Sequence, residues 1–262
     1  MFLLACCALS AEAQTCSLSF TNMNFGTYTG TLLDGTATGK VICAGSWDIP
    51  MDAGMGVGAT ETTRYMTGPG GAELAYQVFQ NSARTTNWGN TSTTEVTGTG
   101  NATVTAYGQI AAGQYAAPGT YTDTLHTATT AFTVTATIVK DCGVSATALV
   151  FGNYTGAVNN STSTVTVTCT NTTTYTVGLS AGLATGATVT TRKMQDGAAL
   201  LNYALFSNSG RTINWGNTAG TNWVAGTGSG VAQPLTVYGQ VAAGQFVTPG
   251  SYTDTITATV TY

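Results

Sequence analysis

The chain has 262 residues, of which 43% are apolar and only 7% charged, with 7 Lys and Arg against 11 Asp and Glu and a net charge of −4. Soluble domains usually carry about 25% charged residues, so the surface here is furnished mainly by Thr, Ser, Asn and Gly. So few basic residues give no electrostatic footprint for nucleic acid or an anionic membrane, and both are excluded as partners.

Residues 1–14 hold an apolar run followed by Ala11-Glu12-Ala13, the small-x-small pattern that precedes signal-peptidase cleavage. Residues 1–13 are therefore expected to be an export leader. It is short and lacks a positive n-region, so its natural start is expected upstream. Leu4-Ala5-Cys6 resembles a lipoprotein cysteine, but the apolar stretch before it is too short for that role.

Cys16 and Cys43 are spaced as Cys142 and Cys169 are, because 16–127 and 142–262 are two copies of one module. Phe25-Gly26-Thr27-Tyr28 returns as Phe151-Gly152-Asn153-Tyr154, and Asn87-Trp88-Gly89-Asn90 as Asn214-Trp215-Gly216-Asn217. Pro118-Gly119-Thr120-Tyr121-Thr122-Asp123-Thr124 returns as Pro249-Gly250-Ser251-Tyr252-Thr253-Asp254-Thr255. Export and matched spacing predict one disulfide per copy, Cys16 with Cys43 and Cys142 with Cys169. Each would contribute roughly 3–4 kcal/mol by loop-closure entropy. A zinc site fails on ligands, since no Cys-x-x-Cys occurs and His126 is the sole histidine.

Short alternating runs of Thr, Val, Tyr and Ile, bounded by Gly, Asn and Pro, predict strands, as at 165–169 and 252–262. No stretch keeps a helical period over three turns. Each copy, 14–130 and 141–262, is expected to be an all-β sandwich of about seven strands.

Between the copies, segment 131–140 sets Phe132, Val134, Ala136 and Ile138 on one face and mainly Thr on the other. It is a strand belonging to neither copy. In the expected mature chain no counterpart precedes Cys16, and none follows Tyr262, which gives two modules and one spare strand. Folded back on 119–127, the spare strand completes copy one. Copy two then stays open at its last strand and needs one from another chain, by β-strand addition.

Several residues invite functional readings that the repeats weaken. Trp88 and Trp215 recur at matching positions, which favours a structural role, as do Asp123 and Asp254, which sit in different domains and cannot flank one glycosidic bond. Arg84 and Arg211 are expected to serve turns. His126 has no Ser or Cys nucleophile in a recognisable motif, so no catalytic residue, metal or cofactor is assigned. The loop 85–100 carries Trp88 and Val96, which make it the expected adhesive, apolar contact surface.

Tyr107-Gly108-Gln109 and Tyr238-Gly239-Gln240, Arg64-x-Met66 and Arg192-x-Met194, Asn-Trp-Gly-Asn and Pro-Gly-x-Tyr-Thr-Asp-Thr resemble the spore coat protein U domain, over nearly all of both copies. That family occurs in subunits of archaic chaperone-usher pili. The resemblance implies two tandem incomplete immunoglobulin-like β-sandwiches. A periplasmic chaperone lends each open subunit a strand, and an outer-membrane usher exchanges it for a strand of the next pilus subunit. It implies that 131–140 is the donor strand of copy two, held in cis by copy one. A subunit that accepts a strand but gives none belongs at the pilus tip, where such subunits look like adhesins for host or abiotic surfaces and biofilm formation; a donor strand upstream would make it an internal adaptor. The alternative is a spore coat or other extracellular structural protein polymerising through the same open groove.

Overall fold

The computed structural model describes residues 16–218 and 220–262. The leader expected over 1–13 lies outside them. The chain divides into two compact units, one running to Gln114 and including Gly119–Ile138, the other formed by Tyr115–Pro118 with Val139–Tyr262. Both are all-β sandwiches.

The strands of the first unit are β1 (Ser17–Phe20), β2 (Met23–Tyr28), β3 (Leu33–Ile42), β4 (Ser46–Ile49), β5 (Arg64–Thr67), β6 (Glu73–Phe79), β7 (Val96–Thr99), β8 (Ala102–Ile110), β9 (Gly119–His126) and β10 (Ala131–Ile138). Eight of them pair in the order β1-β3-β8-β6-β5-β9-β10-β2, while β4 and β7 form a separate ladder. The long sheet curls until Phe20 on β1 stacks on Phe132 on β10. Period-two alternation decides what faces inward. On β10, Phe132, Val134, Ala136 and Ile138 are buried while the residues between them face outward.

β10 is bonded along both edges. It runs antiparallel to β9, from Ala131 opposite His126 to Ile138 opposite Gly119, and parallel to β2, from Val134 opposite Met23 to Ile138 opposite Tyr28. The spare segment therefore lies inside the first sandwich.

The second unit contains β11 (Cys142–Ala146), β12 (Asn159–Cys169), β13 (Thr174–Leu179), β14 (Arg192–Asp196), β15 (Ala199–Phe206), β16 (Val224–Thr227), β17 (Gln233–Val241) and β18 (Ala258–Thr261). They form sheets β11-β12-β17-β15-β14 and β16-β13-β18. Its core gathers Val165, Val167, Val177, Leu205 and Trp215. Each unit holds one disulfide, Cys16–Cys43 and Cys142–Cys169.

The second unit departs from the sequence expectation in one place. The strand expected over 252–262 is regular only at Ala258–Thr261; before that, Thr253 makes a lone bridge to Gln195. Residues 149–154, which match β2, form no strand either. The cause is a missing neighbour. In the first unit β2 and β9 both pair with β10, and among the described residues nothing occupies that place in the second.

Candidate functional site

The place β10 takes in the first unit is an open apolar groove in the second. It has a volume of about 240 Å³, and its walls include Leu149, Phe151, Val165, Leu179, Tyr203 and Ile256. In the first unit, Met23, Phe25, Tyr121 and Leu125 are buried. β10 sets Val134 opposite Met23, Ala136 opposite Tyr121 and Phe132 opposite Leu125. Their counterparts Leu149, Phe151, Tyr252 and Ile256 are only half-buried. Burying one such side chain completely is worth about 1.5–3 kcal/mol, so a strand filling the groove gains several kcal/mol from side chains alone. Main-chain pairing would come in addition.

The groove floor is held by a polar device that both units share. Asp123 accepts hydrogen bonds from the Tyr76 hydroxyl (2.7 Å), Met55 N (2.8 Å) and Thr124 N (2.7 Å). Asp254 does the same with the Tyr203 hydroxyl (2.7 Å), Leu183 N (2.9 Å) and Thr255 N (2.8 Å). The approach is so close that a Cβ on Gly54, whose φ is +79°, would collide with the Asp123 carboxylate. These carboxylates are engaged in pinning a loop to a strand, which is a structural role. Burial, followed by the neighbouring Asp123 charge, raises the Tyr76 hydroxyl well above its ordinary value. Burial and the bond to Asp254 raise Tyr203 in the same sense.

Behind each carboxylate lies a buried arginine. Arg64 donates to the carbonyls of Asp52 (2.9 Å), Glu61 (2.6 Å) and Trp88 (2.6 Å). Arg192 donates to those of Ser180, Val189, Leu179 and Trp215. A guanidinium has enough diverging donors to tie separate loops together. Burial pushes Arg192 down to about 10 and lowers Arg64 as well. The recurring Arg-x-Met was the only sequence signal for this pair.

Trp88 corrects the expected adhesive contact. It is 0% exposed, and its indole N–H donates to the Ile49 carbonyl at 2.8 Å, as Trp215 donates to Val177 at 2.9 Å. A wholly buried ring cannot touch a surface. Val96 is half-buried, opposite Ile49 in the β4–β7 ladder. Among the described residues of the first unit, the most exposed large apolar side chains are Met55 and Val57, 73% and 84% exposed, in the loop pinned through Met55 N to Asp123 and through Val57 N to Glu73. Nothing in the alternation pointed to them, because they sit in a loop.

Arg84 and Arg211 hold left-handed turns at φ 54° and 53°, donate to the carbonyls of Gly108 and Gly239, and lie over the rings of Tyr107 and Tyr238. His126 Nδ1 lies 2.9 Å from Asp52 Oδ2, in an exposed pair. No group of three or more His, Cys, Asp or Glu able to hold a metal occurs among the described residues.

Comparison with known proteins gives the same architecture. The family model of the Spore Coat Protein U domain matches residues 3–127 and 128–259. "Protein U" of Myxococcus xanthus is 40% identical over 87 residues, which are 32% of this chain and 48% of that protein, so the match spans about half its length. A chain from the crystal structure of the CsuC–CsuE chaperone–tip adhesion subunit pre-assembly complex, from the archaic chaperone-usher Csu pili of Acinetobacter baumannii, superposes with a TM-score of 0.58. The superposition covers 95% of this chain and 100% of that one at 15% identity, a likeness of fold.

Proposed function

The chain belongs to the Spore Coat Protein U domain family, and on that premise we propose that it is a secreted, non-enzymatic pilus subunit whose second module accepts a strand from a neighbouring protein. The observation that carries this reading is the contrast between two copies of one groove. In the first, 131–138 fills the space and every lining residue named above is buried. In the second, the apolar counterparts Leu149, Phe151 and Ile256 line an open groove. Segment 131–140 is then the strand of the second module, held by the first.

A periplasmic chaperone would cover the second groove before assembly. An outer-membrane usher would then exchange that cover for a strand of the next subunit, placing the protein at the cell surface. The fold likeness to a chain of a chaperone–tip adhesion subunit complex supports a place at the pilus tip. There the first module would meet a host or abiotic surface and promote biofilm. The sparse charge of the chain and the exposed Met55 and Val57 favour an apolar surface.

Ile256→Arg tests the acceptor role by setting a charge in the groove. The expected result is a folded chain whose first unit melts normally but which is not recovered in pili. Undiminished recovery would contradict the reading.

A further inference from the structure

We propose that the end of the second unit around Phe246 docks the globular body of the subunit that donates the strand, a contact separate from the strand itself; this rests on the acceptor reading above. Phe246 is 96% exposed, beyond every other exposed large apolar side chain among the described residues. It follows Gln245, which sits where the strand position left open in the second unit ends. Gln245 N donates to the Tyr154 hydroxyl at 3.1 Å, and Tyr154 matches Tyr28, which lies opposite Ile138 at the end of β10.

Chain length places the donor's body nearby. After Ile138, β10 is followed by Val139, Lys140 and Asp141 before β11 begins at Cys142. Four residue steps reach about 14 Å at most. A donor strand with this register and this linker therefore brings its own module against the Tyr154–Phe246 end.

The first repeat shows what such a module offers. Gln114-Tyr115 corresponds to Gln245-Phe246, and Gln114 N likewise donates to the Tyr28 hydroxyl at 3.1 Å. Tyr115–Pro118 belongs to the second compact unit, where Asn171 N donates to the Tyr115 carbonyl at 2.9 Å. Gly230, at φ +78°, comes so near that a Cβ there would sit 3.0 Å from the same oxygen. Tyr115 is half-buried, and the corresponding Phe246 is bare.

One neighbour of Phe246 is also more apolar than its counterpart in the first repeat. Gly244 N donates to the Gly156 carbonyl and Gln245 Nε2 to that of Asn202, which ties the turn to the loop carrying the exposed Val158 and to β15 with its exposed Leu200. Leu200 stands where the first repeat has Glu73. The occupant is a module of the same family, presenting the turn that follows its second cysteine, as Thr170-Asn171-Thr172 follows Cys169. This chain's own first module does not qualify. There the turn is shorter: Ala44-Gly45-Ser46 lead from Cys43 to Trp47, where Thr170-Asn171-Thr172-Thr173-Thr174 lead from Cys169 to Tyr175.

The test places photoreactive benzoylphenylalanine at position 246 of the full chain, and separately at exposed Ile213, in pili assembled with their native subunits. Crosslinked peptides are mapped, and hydrogen exchange of 149–154 and 250–257 is followed. The inference expects exchange about tenfold or more slower than in the free chain, and crosslinks from 246 alone to the turn after the second cysteine of a neighbouring spore coat U module. Slow exchange with crosslinks only to the donor strand, with none, or equally from 213, overturns the docking contact and leaves the acceptor reading intact. Exchange as fast as in the free chain removes both.

Discussion

Phe132 stacks on Phe20 with ring centroids 4.9 Å apart and planes 22° from parallel. One ring belongs to the first strand of the first repeat, the other to a segment outside both repeats. The stack closes the curled sheet, and it makes β10 part of the first core.

Phe132→Ala should therefore cost the first unit about 3–5 kcal/mol, the usual range for deleting a buried aromatic ring. In calorimetry the corresponding transition should fall by about 10 °C or more, with the second unit's transition unmoved. Equal shifts in both would mean that β10 is not specific to the first sandwich.

Arg64 satisfies three backbone carbonyls from a fully buried position. Arg64→Met orphans them and should lose at least about 3 kcal/mol in urea unfolding. Arg64→Lys should recover little, because one ammonium cannot reach three diverging acceptors. A lysine variant as stable as the parent would show that charge alone matters there.

Tyr76 and Tyr203 keep their protons in the folded state far above their ordinary value near 10. Below pH 10 both states hold the proton. Above it the unfolded chain releases the proton and the folded chain does not, so each tyrosine withdraws about 1.4 kcal/mol of stability per pH unit. Melting temperature should fall from about pH 10 upward, and Tyr76→Phe should flatten that fall for the first unit. An unchanged alkaline slope in the variant would reject the assignment.

Met55 and Val57 are exposed and make no packing contribution that Ser could not replace within about 0.5 kcal/mol. Replacing both with Ser should lower attachment of piliated cells to an apolar plastic several-fold while leaving pilus yield and unfolding unchanged. Undiminished attachment would remove this loop from the contact surface.

Much of the fold is legible in the sequence. The recurrence of Phe-Gly-x-Tyr, Asn-Trp-Gly-Asn and the cysteine spacing marks two modules, and the alternation in 131–140 marks a one-faced strand. Alternation reports that a segment can pair. It does not report whether a neighbour exists, which is why 252–257 looked like strand and is not regular. Recurrence of Trp88 at Trp215 points to the structural role that its burial bears out, while the adhesive reading of its loop fails because its anchor, the Ile49 carbonyl, is remote in sequence. Met55 and Val57 stayed invisible because loop exposure has no periodic signature.

The central claim is that the two grooves differ only in being filled. Hydrogen exchange on the full chain, with and without a synthetic peptide of residues 131–140, tests it most directly. Amides of 23–28 and 119–126 should exchange slowly throughout, and those of 149–154 and 250–257 rapidly until the peptide is added. Equal protection of both sets before the peptide, or no protection of the second set after it, would contradict the account.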